Sequence, residues 1–410
     1  MKILHTADWH LADRLGRIDR TDDLRRAVER VGIYCESEKI DVLLVAGDLF
    51  SELARPDALR ESIRHWQNVF AKFLSDGGTI LTLTGNHDNE GFCQTLTHAM
   101  NLAAPLSGNY GQVVPNGRLY LATEPTLLRL HDRHHGYPVQ FLLMPYPTPG
   151  RYLRDESSRK YASLDEKNRT LIAAFTDTLR TIQSHPSFDE RLPTVLGAHI
   201  HVRGATLGTT LFRLTEEEDA VFDESALPSQ FAYVALGHIH RPQAIGGHDH
   251  VRYSGSIERM DLGEKDDQKC VIVVEVGEQG RLGNVEVLPL PATPIYELTI
   301  QNPSEEIPEL QRTYHEAESD LVNLHLLYTA GKDNLEDNLR ALDSIFPRWY
   351  SRDWKEASAL RPTLARETSR SKSFAETVRE YIDKELIQHS EEERAAILER
   401  LEALIQEMEL

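Results

Sequence analysis

The sequence predicts an α/β fold that opens with a largely parallel β-sheet. Over the first 290 of its 410 residues, short apolar runs alternate with segments of helical periodicity. After Gly91 the pattern becomes richer in strands, and the prolines of LPLPATP (288–294) mark a boundary. Beyond that boundary, a shorter alternation of strands and helices indicates a small α+β domain, which an amphipathic tail follows.

The opening segment has a βαβαβ pattern. The apolar runs KILHTA (2–7), VLLVAG (42–47) and ILTLTG (80–85) are typical of buried strands. Helical spacing covers 22–39 and 56–76, and the second of these helices begins at a proline and ends before Gly77-Gly78. Strands that are joined by helices in this way lie parallel in one sheet.

The remainder of the first 290 residues is predicted to be mostly β-structure. The acidic stretch TEEEDAVFDES (215–225) is expected to form an exposed loop, and a turn is expected at 277–283. One helix is expected at 164–184. The expected strands are 119–122, 126–130, 139–144, 194–198, 233–236, 251–253, 270–276 and 284–290.

The segment after the boundary is predicted to contain strands in IYELTI (295–300) and LVNLHLLYT (321–329), with helices at 304–317 and 334–345. A polar linker (361–373) follows, and then two amphipathic helices, of which the second has a capping box at Ser390 and Glu393. The predicted regions are therefore 1–290, 291–360, 361–373 and 374–410. The tail helices place these residues on their apolar faces: Phe374, Val378, Tyr381, Ile382 and Leu386 in the first, and Ile397, Leu401, Leu404 and Met408 in the second.

Composition excludes several classes of protein. Apolar residues make up 40% of the chain, charged residues make up 27%, and no apolar run approaches the roughly 18 residues of a membrane-spanning helix. We see no signal-peptide pattern, and Cys35, Cys93 and Cys270 form no CxxC pair, so a reducing cytoplasm is expected. The net charge of −20 argues against a broad basic surface for nucleic acid, so any contact with DNA must be local.

Polar residues end each strand of the predicted parallel sheet. Ligands bind at the carboxyl ends of the strands in such sheets, so these side chains are expected to meet. Any one of them alone would be an ordinary turn residue, but together they indicate a functional site. They are Asp8 and His10 after the first strand, Asp48 after the second, and Asn86, His87 and Asp88 after the third.

Two similar segments, LGAHIHVRG (196–204) and ALGHIHRPQ (235–243), add four histidines to the candidate site residues: His199, His201, His238 and His240. Their surroundings differ, so we interpret them as two segments that converge on one site and not as an internal repeat. Carboxylate, amide and imidazole ligands together suit two borderline divalent ions such as Mn²⁺, Fe²⁺ or Zn²⁺. A pair of such ions stabilises the attacking and leaving oxygens of a displacement at phosphorus.

The order D-x-H, G-D, G-N-H-D, H and G-H-x-H resembles that of the calcineurin-like metallophosphoesterases. HTADWHL (5–11), GDLF (47–50), YVALGHIHRPQ (233–243) and YSGSIERMDLGE (253–264) make the chain similar to the SbcD-type DNA repair nucleases within that superfamily. The resemblance implies a β-sandwich flanked by helices over 1–290. It also implies a capping domain at 291–360 that guides DNA to the metals.

The resemblance assigns a role to each site residue. The first metal would be held by Asp8, His10, Asp48 and His240, and the second by Asp48 as a bridge with Asn86, His199 and His238. His87 would contact the scissile phosphate and assist the leaving oxygen, and Asp88 would orient His87. His201 is expected to be a bystander or to support a ligand.

The sequence departs from the pattern at Ser51, where the nucleases often have Asp or His, and at Ala12, where they usually have Gly.

The function implied by the resemblance is a Mn²⁺-dependent DNA nuclease, acting 3′→5′ on duplex ends and as an endonuclease on single strands and hairpins. Its partner would be an SbcC-type coiled-coil ATPase bound through 374–410, and the chain would form a homodimer in the cytoplasm at the nucleoid. A small-molecule phosphatase or cyclic-nucleotide phosphodiesterase is an alternative, and so is a non-enzymatic scaffold that binds DNA ends.

Trp9 is expected to pack beside the site. The arginines that would meet DNA phosphates, or else balance surface acids, are Arg14, Arg17, Arg20, Arg55 and Arg241.

Overall fold

The structure is a computed structural model, and it describes residues 1–52, 54–105, 110–153, 160–207, 219–228, 230–314 and 319–356. Met1–Lys355 form one compact unit. The predicted linker at 361–373 and the tail helices at 374–410 lie outside the described residues. Among the described residues, no helix is long and apolar enough to cross a membrane.

The first sheet contains the predicted parallel opening. Four neighbouring strands, β1 (Lys2–Thr6), β4 (Val42–Val45), β5 (Thr79–Leu83) and β6 (Leu119–Ala122), pair in parallel. Two further strands, β15 (Cys270–Gly277) and β16 (Gly280–Pro289), extend the sheet antiparallel beyond β1. The sheet order is β16-β15-β1-β4-β5-β6.

The second sheet also has six strands. From one edge to the other these are β13 (Gln243–Ile245), β14 (His248–Tyr253), β12 (Tyr233–Gly237), β9 (Thr194–His199), β8 (Pro138–Met144) and β7 (Thr126–His131). The four central strands pair in parallel, and the two edge strands run antiparallel to them. The predicted strands at 126–130, 139–144, 194–198, 233–236 and 251–253 are therefore confirmed.

The two sheets face each other, with helices on their outer faces. Because side chains alternate along a strand, Ile3 points into the core between the sheets while Leu4 points outward. The outer face of the first sheet is covered by α1 (Thr21–Ser37), α2 (Pro56–Ser75) and α3 (Glu90–Ala103). The outer face of the second is covered by α5 (Leu164–Ser184), which the short α4 (Pro149–Tyr152) precedes. This arrangement is the predicted β-sandwich flanked by helices.

One sequence-based prediction in this region was wrong, and one helix was not predicted. The strands expected after Gly91 begin at residue 119 and are present, but α3, which precedes them, was not predicted; Asn89 accepts a hydrogen bond from the backbone N–H of Phe92 at 2.9 Å at its start. Only Cys93 of α3 is fully buried, while Phe92, Leu96 and Met100 pack against the same core and stay partly exposed. The predicted exposed loop at 215–225 is wrong where it is described, because Asp219 is buried and β11 (Val221–Phe222) pairs with β10 (His201–Val202).

The segment after residue 294 forms a three-stranded sheet with two helices. The strands are β17 (Ile295–Ile300), β18 (Leu321–Tyr328) and β19 (Trp349–Glu356), and the helices are α6 (Pro303–Thr313) and α7 (Leu335–Ile345). Its core includes Leu324 and Phe346. The sequence pattern did not predict β19, in which only Trp349, Tyr350 and Arg352 are partly buried. The domain boundary after residue 290 remains a prediction.

This segment contacts the first 290 residues near the β2–β3 hairpin (β2, Arg14–Leu15; β3, Ile18–Asp19). The guanidinium of Arg17 lies 4.2 Å from the ring centroid of Trp349, and Arg17 also donates hydrogen bonds to two backbone carbonyls of this segment. The guanidinium of Arg348 forms an ion pair with the buried carboxylate of Asp23. Stacking and an ion pair with a buried carboxylate therefore connect this segment to the β2–β3 hairpin and to α1.

Candidate metal centre

The strands of both sheets deliver polar side chains to one place. The connecting segments follow the carboxyl ends of β1, β4 and β5 in the first sheet and of β9 and β12 in the second, as the parallel pairing requires. All the predicted ligands meet there. They are Asp8, His10, Asp48, Asn86, His199, His238 and His240.

One group of donors comprises Asp8, His10 and His240, whose ligand atoms lie within 4.8 Å of one another. The Nε2 atoms of His10 and His240 are 3.1 Å apart. An oxygen of Asp48 approaches this group, since its Oδ2 is 3.7 Å from Nε2 of His10. These are the residues that the family resemblance assigned to the first metal.

The second group surrounds Asn86. Its Oδ1 is 3.0 Å from Nε2 of His199 and 3.0 Å from Nδ1 of His238. Oδ2 of Asp48 lies 3.2 Å from Nε2 of His199, so this carboxylate stands between the two groups. That is the position of a bridging ligand. Asp8 also lies near this group, because its Oδ1 is 4.0 Å from Nε2 of His199.

The chemistry of the donors fits two divalent ions. Asp8 and Asp48 are fully buried, and several imidazoles face them. Burial raises the pKa of Asp8. For Asp48 burial acts in the same direction, but His199 and His10 outweigh it and hold its pKa well below the usual range. Buried carboxylates need compensating positive charge, and a pair of cations among oxygen and imidazole donors supplies it.

The backbone at these ligands adopts a strained conformation. The φ angles of Asp8, His10, Asp48 and His238 are 53°, 42°, 52° and 101°. Non-glycine residues in this region each cost about 1–3 kcal/mol, so the surroundings must hold them there. They do so through the carboxylates, because the N–H of His238 donates to both oxygens of Asp8 at 3.1 Å and the N–H of His87 donates to Asp48 at 2.9 Å.

Each of three predicted histidine ligands has an oxygen partner on the nitrogen that faces away from the other donors. Nδ1 of His199 lies 2.8 Å from the carbonyl oxygen of Ala46, and Nδ1 of His240 lies 2.7 Å from Oε1 of Glu264. Nε2 of His238 lies 2.6 Å from Oδ2 of Asp219. Such partners fix the ring and the tautomer of a metal-binding histidine.

Sequence reasoning missed two of these partners. Asp219 was placed in an acidic run whose composition is typical of solvated loops. Glu264 is the last residue of YSGSIERMDLGE, a motif that carried the resemblance but to which no role was assigned. Glu264 is 4% exposed, and its carboxylate also contacts the ammonium of Lys269, which holds the pKa of Glu264 far below its usual range although burial acts to raise it.

His87 lies at the rim of the first donor group. Its ring centroid is 5.0 Å from that of His10, and its Nδ1 is 3.5 Å from Oε2 of Glu52. Burial lowers the pKa of His87. Asp88 accepts hydrogen bonds from the backbone N–H groups of Gly85 and Phe50 at 2.8 and 2.9 Å, and so joins the ends of β4 and β5. The orienting role expected for Asp88 towards His87 remains a prediction.

Other residues singled out in the sequence lie close by. Nδ1 of His201 is 3.2 Å from Oδ2 of Asp219, which in turn contacts the predicted ligand His238. His201 therefore supports the donor group and does not belong to it. Trp9 is fully buried, with its indole N–H donating to Thr6, as the sequence predicted. The hydroxyl of Ser51 donates to the carboxylate of Asp13 at 2.8 Å. The φ of Ala12 is 69°, in the left-handed region that favours glycine.

The predicted DNA-contacting arginines differ in their surroundings. Arg14, Arg55 and Arg241 have exposed side chains, while Arg17 is exposed but stacks on the ring of Trp349. Arg20 is only 1% exposed. Its guanidinium forms an ion pair with the buried Asp23, so the expectation that it meets DNA is wrong. The DNA contacts of the other four remain predictions.

Residues 1–242, more than half of the chain, match the sequence model of the calcineurin-like phosphoesterases. The chain belongs to the calcineurin-like phosphoesterase family. Members of this family use two divalent metal ions, and the donor groups around Asp48 are those of such a centre. The chain is therefore a dinuclear-metal hydrolase, as the order of its motifs predicted.

Within the calcineurin-like phosphoesterases, the chain is similar to curated SbcD proteins, the D components of SbcCD nucleases. It is 29% identical to SbcD of Escherichia coli (strain K12) over 306 residues, which is 72% of this chain and 69% of that protein. SbcD of Bacillus subtilis (strain 168) is 29% identical over 283 residues, covering 67% and 66%. SbcD of Rhodobacter capsulatus is 30% identical over 264 residues, covering 62% of each chain. The predicted resemblance to SbcD-type nucleases is confirmed.

Proposed function

We propose that this chain is a Mn²⁺-dependent DNA nuclease that acts 3′→5′ on duplex ends and cuts single strands and hairpins. The observation that carries the proposal is the place of Asp48, whose carboxylate lies 3.7 Å from His10 and 3.2 Å from His199. A carboxylate between two donor groups suits two ions that act on one phosphodiester. The similarity to SbcD proteins of SbcCD nucleases supports DNA as the substrate.

The ions, when bound, supply positive charge at the attacking and leaving oxygens of an in-line displacement. The protein would position everything else. Asp48 accepts a hydrogen bond from the backbone N–H of His87, which ties the shared ligand to the segment that carries His87. The imidazole of His87 would donate a hydrogen bond to a phosphate oxygen and assist the leaving oxygen. Trp9 and Phe50, which follow the predicted ligands Asp8 and Asp48 closely in the sequence, are both buried in the hydrophobic core.

The proposed assembly follows the SbcCD relatives. The chain would be the nuclease component of a DNA repair complex with an SbcC-type coiled-coil ATPase, bound through residues 374–410. It would form a homodimer through helices of the phosphoesterase domain, in the cytoplasm at the nucleoid, and the segment at 291–360 would guide DNA. Deleting 374–410 should abolish binding to the ATPase while the metal-dependent activity survives. Undiminished binding would overturn the docking proposal.

The deciding experiment uses 3′-labelled blunt duplex DNA with Mn²⁺. The full chain should release label, whereas Asp48→Asn and His87→Ala should not. Asp57→Asn is a matched control, because Asp57 is exposed on α2 and should have no effect. A chromogenic diester is assayed in parallel. Turnover of the diester with intact DNA, in the presence of the ATPase as well, would contradict the nuclease and favour a phosphodiesterase for small substrates.

A further inference from the structure

The carboxylate of Asp219 lies behind the second donor group and is completely surrounded. Its Oδ2 is 2.6 Å from Nε2 of His238 and 3.2 Å from Nδ1 of His201. Its Oδ1 accepts the hydroxyl of Tyr146 at 3.1 Å and the N–H of Ala220 at 2.8 Å. Four donors fill the acceptor positions of one carboxylate, so its orientation is fixed.

This arrangement sets the direction of the His238 ring. A neutral imidazole carries a hydrogen on one nitrogen and a lone pair on the other. With the hydrogen on Nε2 directed at Asp219, the lone pair of Nδ1 faces Oδ1 of Asn86 at 3.0 Å. That is the side on which His199 and Asp48 lie. Asp219 therefore holds the one ring orientation in which His238 can serve as a ligand.

His201 contributes from the other side of the same oxygen. It begins β10, which pairs in parallel with β11 just after Asp219. The hydroxyl of Tyr253 fixes the chain around His201, donating to the carbonyl of Ile200 at 2.7 Å and accepting the N–H of Val202 at 2.9 Å. His201, the second histidine of LGAHIHVRG, therefore contacts the donor group through Asp219, whereas both histidines of ALGHIHRPQ are themselves among the donors.

The first donor group has a separate support. Oε1 of Glu264 lies 2.7 Å from Nδ1 of His240, on a different segment of the chain from Asp219. Glu264 contacts Lys269 and Ser256 rather than the residues around Asp219. The two histidines of GHIH therefore have independent carboxylate partners, one for each proposed ion.

We propose that Asp219 is a positioning residue that sets the affinity of the second metal ion, and that His201 supports it by holding its carboxylate in place. The inference rests on the two-ion centre proposed above and concerns binding of metal, separately from cleavage of any substrate. Loss of a carboxylate partner of this kind lowers metal affinity by about 10- to 100-fold.

The test measures Mn²⁺ binding to the metal-depleted full chain by calorimetry and electron paramagnetic resonance, without DNA. The wild type should bind two ions with an exchange-coupled spectrum. Asp219→Asn keeps the shape but puts a donor where an acceptor is needed, so one ion should bind about 10- to 100-fold more weakly. The spectrum should then change to that of an isolated ion. Glu264→Gln should weaken the other ion.

A double substitution identifies which ion is affected. Asn86→Ala also removes a contact of the second group, so its effect and that of Asp219→Asn should not add, whereas the effects of Asp219→Asn and Glu264→Gln should add. Two ions bound by Asp219→Asn within about twofold of wild-type affinity would overturn the inference. So would equal weakening of both ions, which would indicate a general loss of structure. A wild type that binds fewer than two ions would instead overturn the two-ion centre itself.

Substitution of His201 gives a second, milder test that does not alter Asp219. His201→Phe removes the donor, and the second ion should bind about 5-fold more weakly, the equivalent of one hydrogen bond. His201→Asn places an amide N–H near the position of Nδ1 and should restore the affinity. If the Phe and Asn variants bind the second ion equally, His201 has no part in positioning. Unfolding temperatures in chelator exclude a general loss of stability.

Discussion

The imidazoles of His10 and His240 face each other with their Nε2 atoms 3.1 Å apart, although the strands that precede them belong to different sheets. His10 follows β1 of the first sheet, and His240 follows β12 of the second. The proposed first ion would therefore be held by both halves of the sandwich. Because metal binds the assembled site and not the unfolded chain, metal and folding are thermodynamically linked.

We expect Mn²⁺ to stabilise the folded protein. When its free concentration exceeds the dissociation constant about 100-fold, the gain in the free energy of unfolding is about 2.7 kcal/mol per ion. Asp48→Asn removes charge from both donor groups and should abolish most of this gain. Thermal unfolding with Mn²⁺ or with chelator measures the effect. An equal rise in the unfolding temperature of wild type and variant would mean that the ions bind elsewhere.

His87→Ala should separate binding from cleavage. The imidazole of His87 lies beside that of His10, but neither of its nitrogen atoms belongs to the two groups of predicted metal-binding atoms. Two Mn²⁺ ions should therefore still bind, while cleavage falls by about 10²- to 10⁴-fold because a proton-transferring group is lost. Calorimetry and the labelled-duplex assay measure the two quantities on one preparation. Loss of both together would assign His87 to the metal ligands instead.

The ligands could be predicted from the sequence because the geometry of a parallel sheet brings them together. Asp8, Asp48 and Asn86 follow neighbouring parallel strands, whose carboxyl ends lie along one edge. The partners of the ligands could not be predicted in the same way. Asp219 lies in an acidic stretch, where charge density indicates solvent exposure, and its burial depends on tertiary contacts with His201 and His238 that no local pattern contains.

Helix α3 shows a similar limit at the level of the fold. Its sequence, EGFCQTLTHAMNLA, contains four residues with lower helix propensity, namely Gly91, Phe92, Thr95 and Thr97. Only Cys93 of this helix is fully buried. Phe92, Leu96 and Met100 lie on the same face and pack against the core, but they stay partly exposed. In contrast, α2 buries Trp66, Phe70 and Phe73 at helical spacing, and its position was predicted to within one residue at each end.

Replacing Ala12 with glycine should stabilise the protein. Its φ of 69° lies in the left-handed region, where a Cβ costs about 1 kcal/mol or more. Ala12→Gly should therefore raise the free energy of unfolding by about 1 kcal/mol, measured with urea in the presence of chelator. Ala71→Gly is the control, since Ala71 is exposed in α2 and glycine there should cost about 0.5–1 kcal/mol. A loss of stability in both variants would contradict the strain at Ala12.

His5 should make the protein sensitive to mild acid. It is fully buried between the sheets, with Nδ1 3.0 Å from the hydroxyl of Tyr233 and Nε2 3.2 Å from the carbonyl of Leu236. Burial lowers the pKa of His5 to about 3, so the folded state keeps it neutral while the unfolded chain takes up a proton below its usual pKa of 6.5. Its contribution to stability is complete above that value and is lost progressively as the pH falls towards 3.

The loss from His5 alone amounts to about 2 kcal/mol between about pH 7.5 and about pH 5. His5→Gln can donate to the same carbonyl but does not titrate, so its free energy of unfolding should fall less over this interval. Urea unfolding in chelator removes the contribution of bound metal from both proteins. Identical pH dependences in wild type and variant would show that His5 does not cause the sensitivity.

Arg55 should contribute to DNA binding through charge alone. It is exposed immediately before α2, on the segment that follows Asp48, and an exposed guanidinium there can reach a phosphate near the metals. Arg55→Gln should weaken binding of duplex DNA of any sequence and reduce the slope of log K against log[salt] by about 0.9, the value of one phosphate contact. Arg60→Gln is the control, because Arg60 is also exposed but lies beside Asp57 and Glu61. An unchanged salt dependence of DNA binding in both variants would show that Arg55 does not contact a DNA phosphate. Equal reductions would indicate a general effect of net charge, since the chain carries −20 and each substitution removes one positive charge.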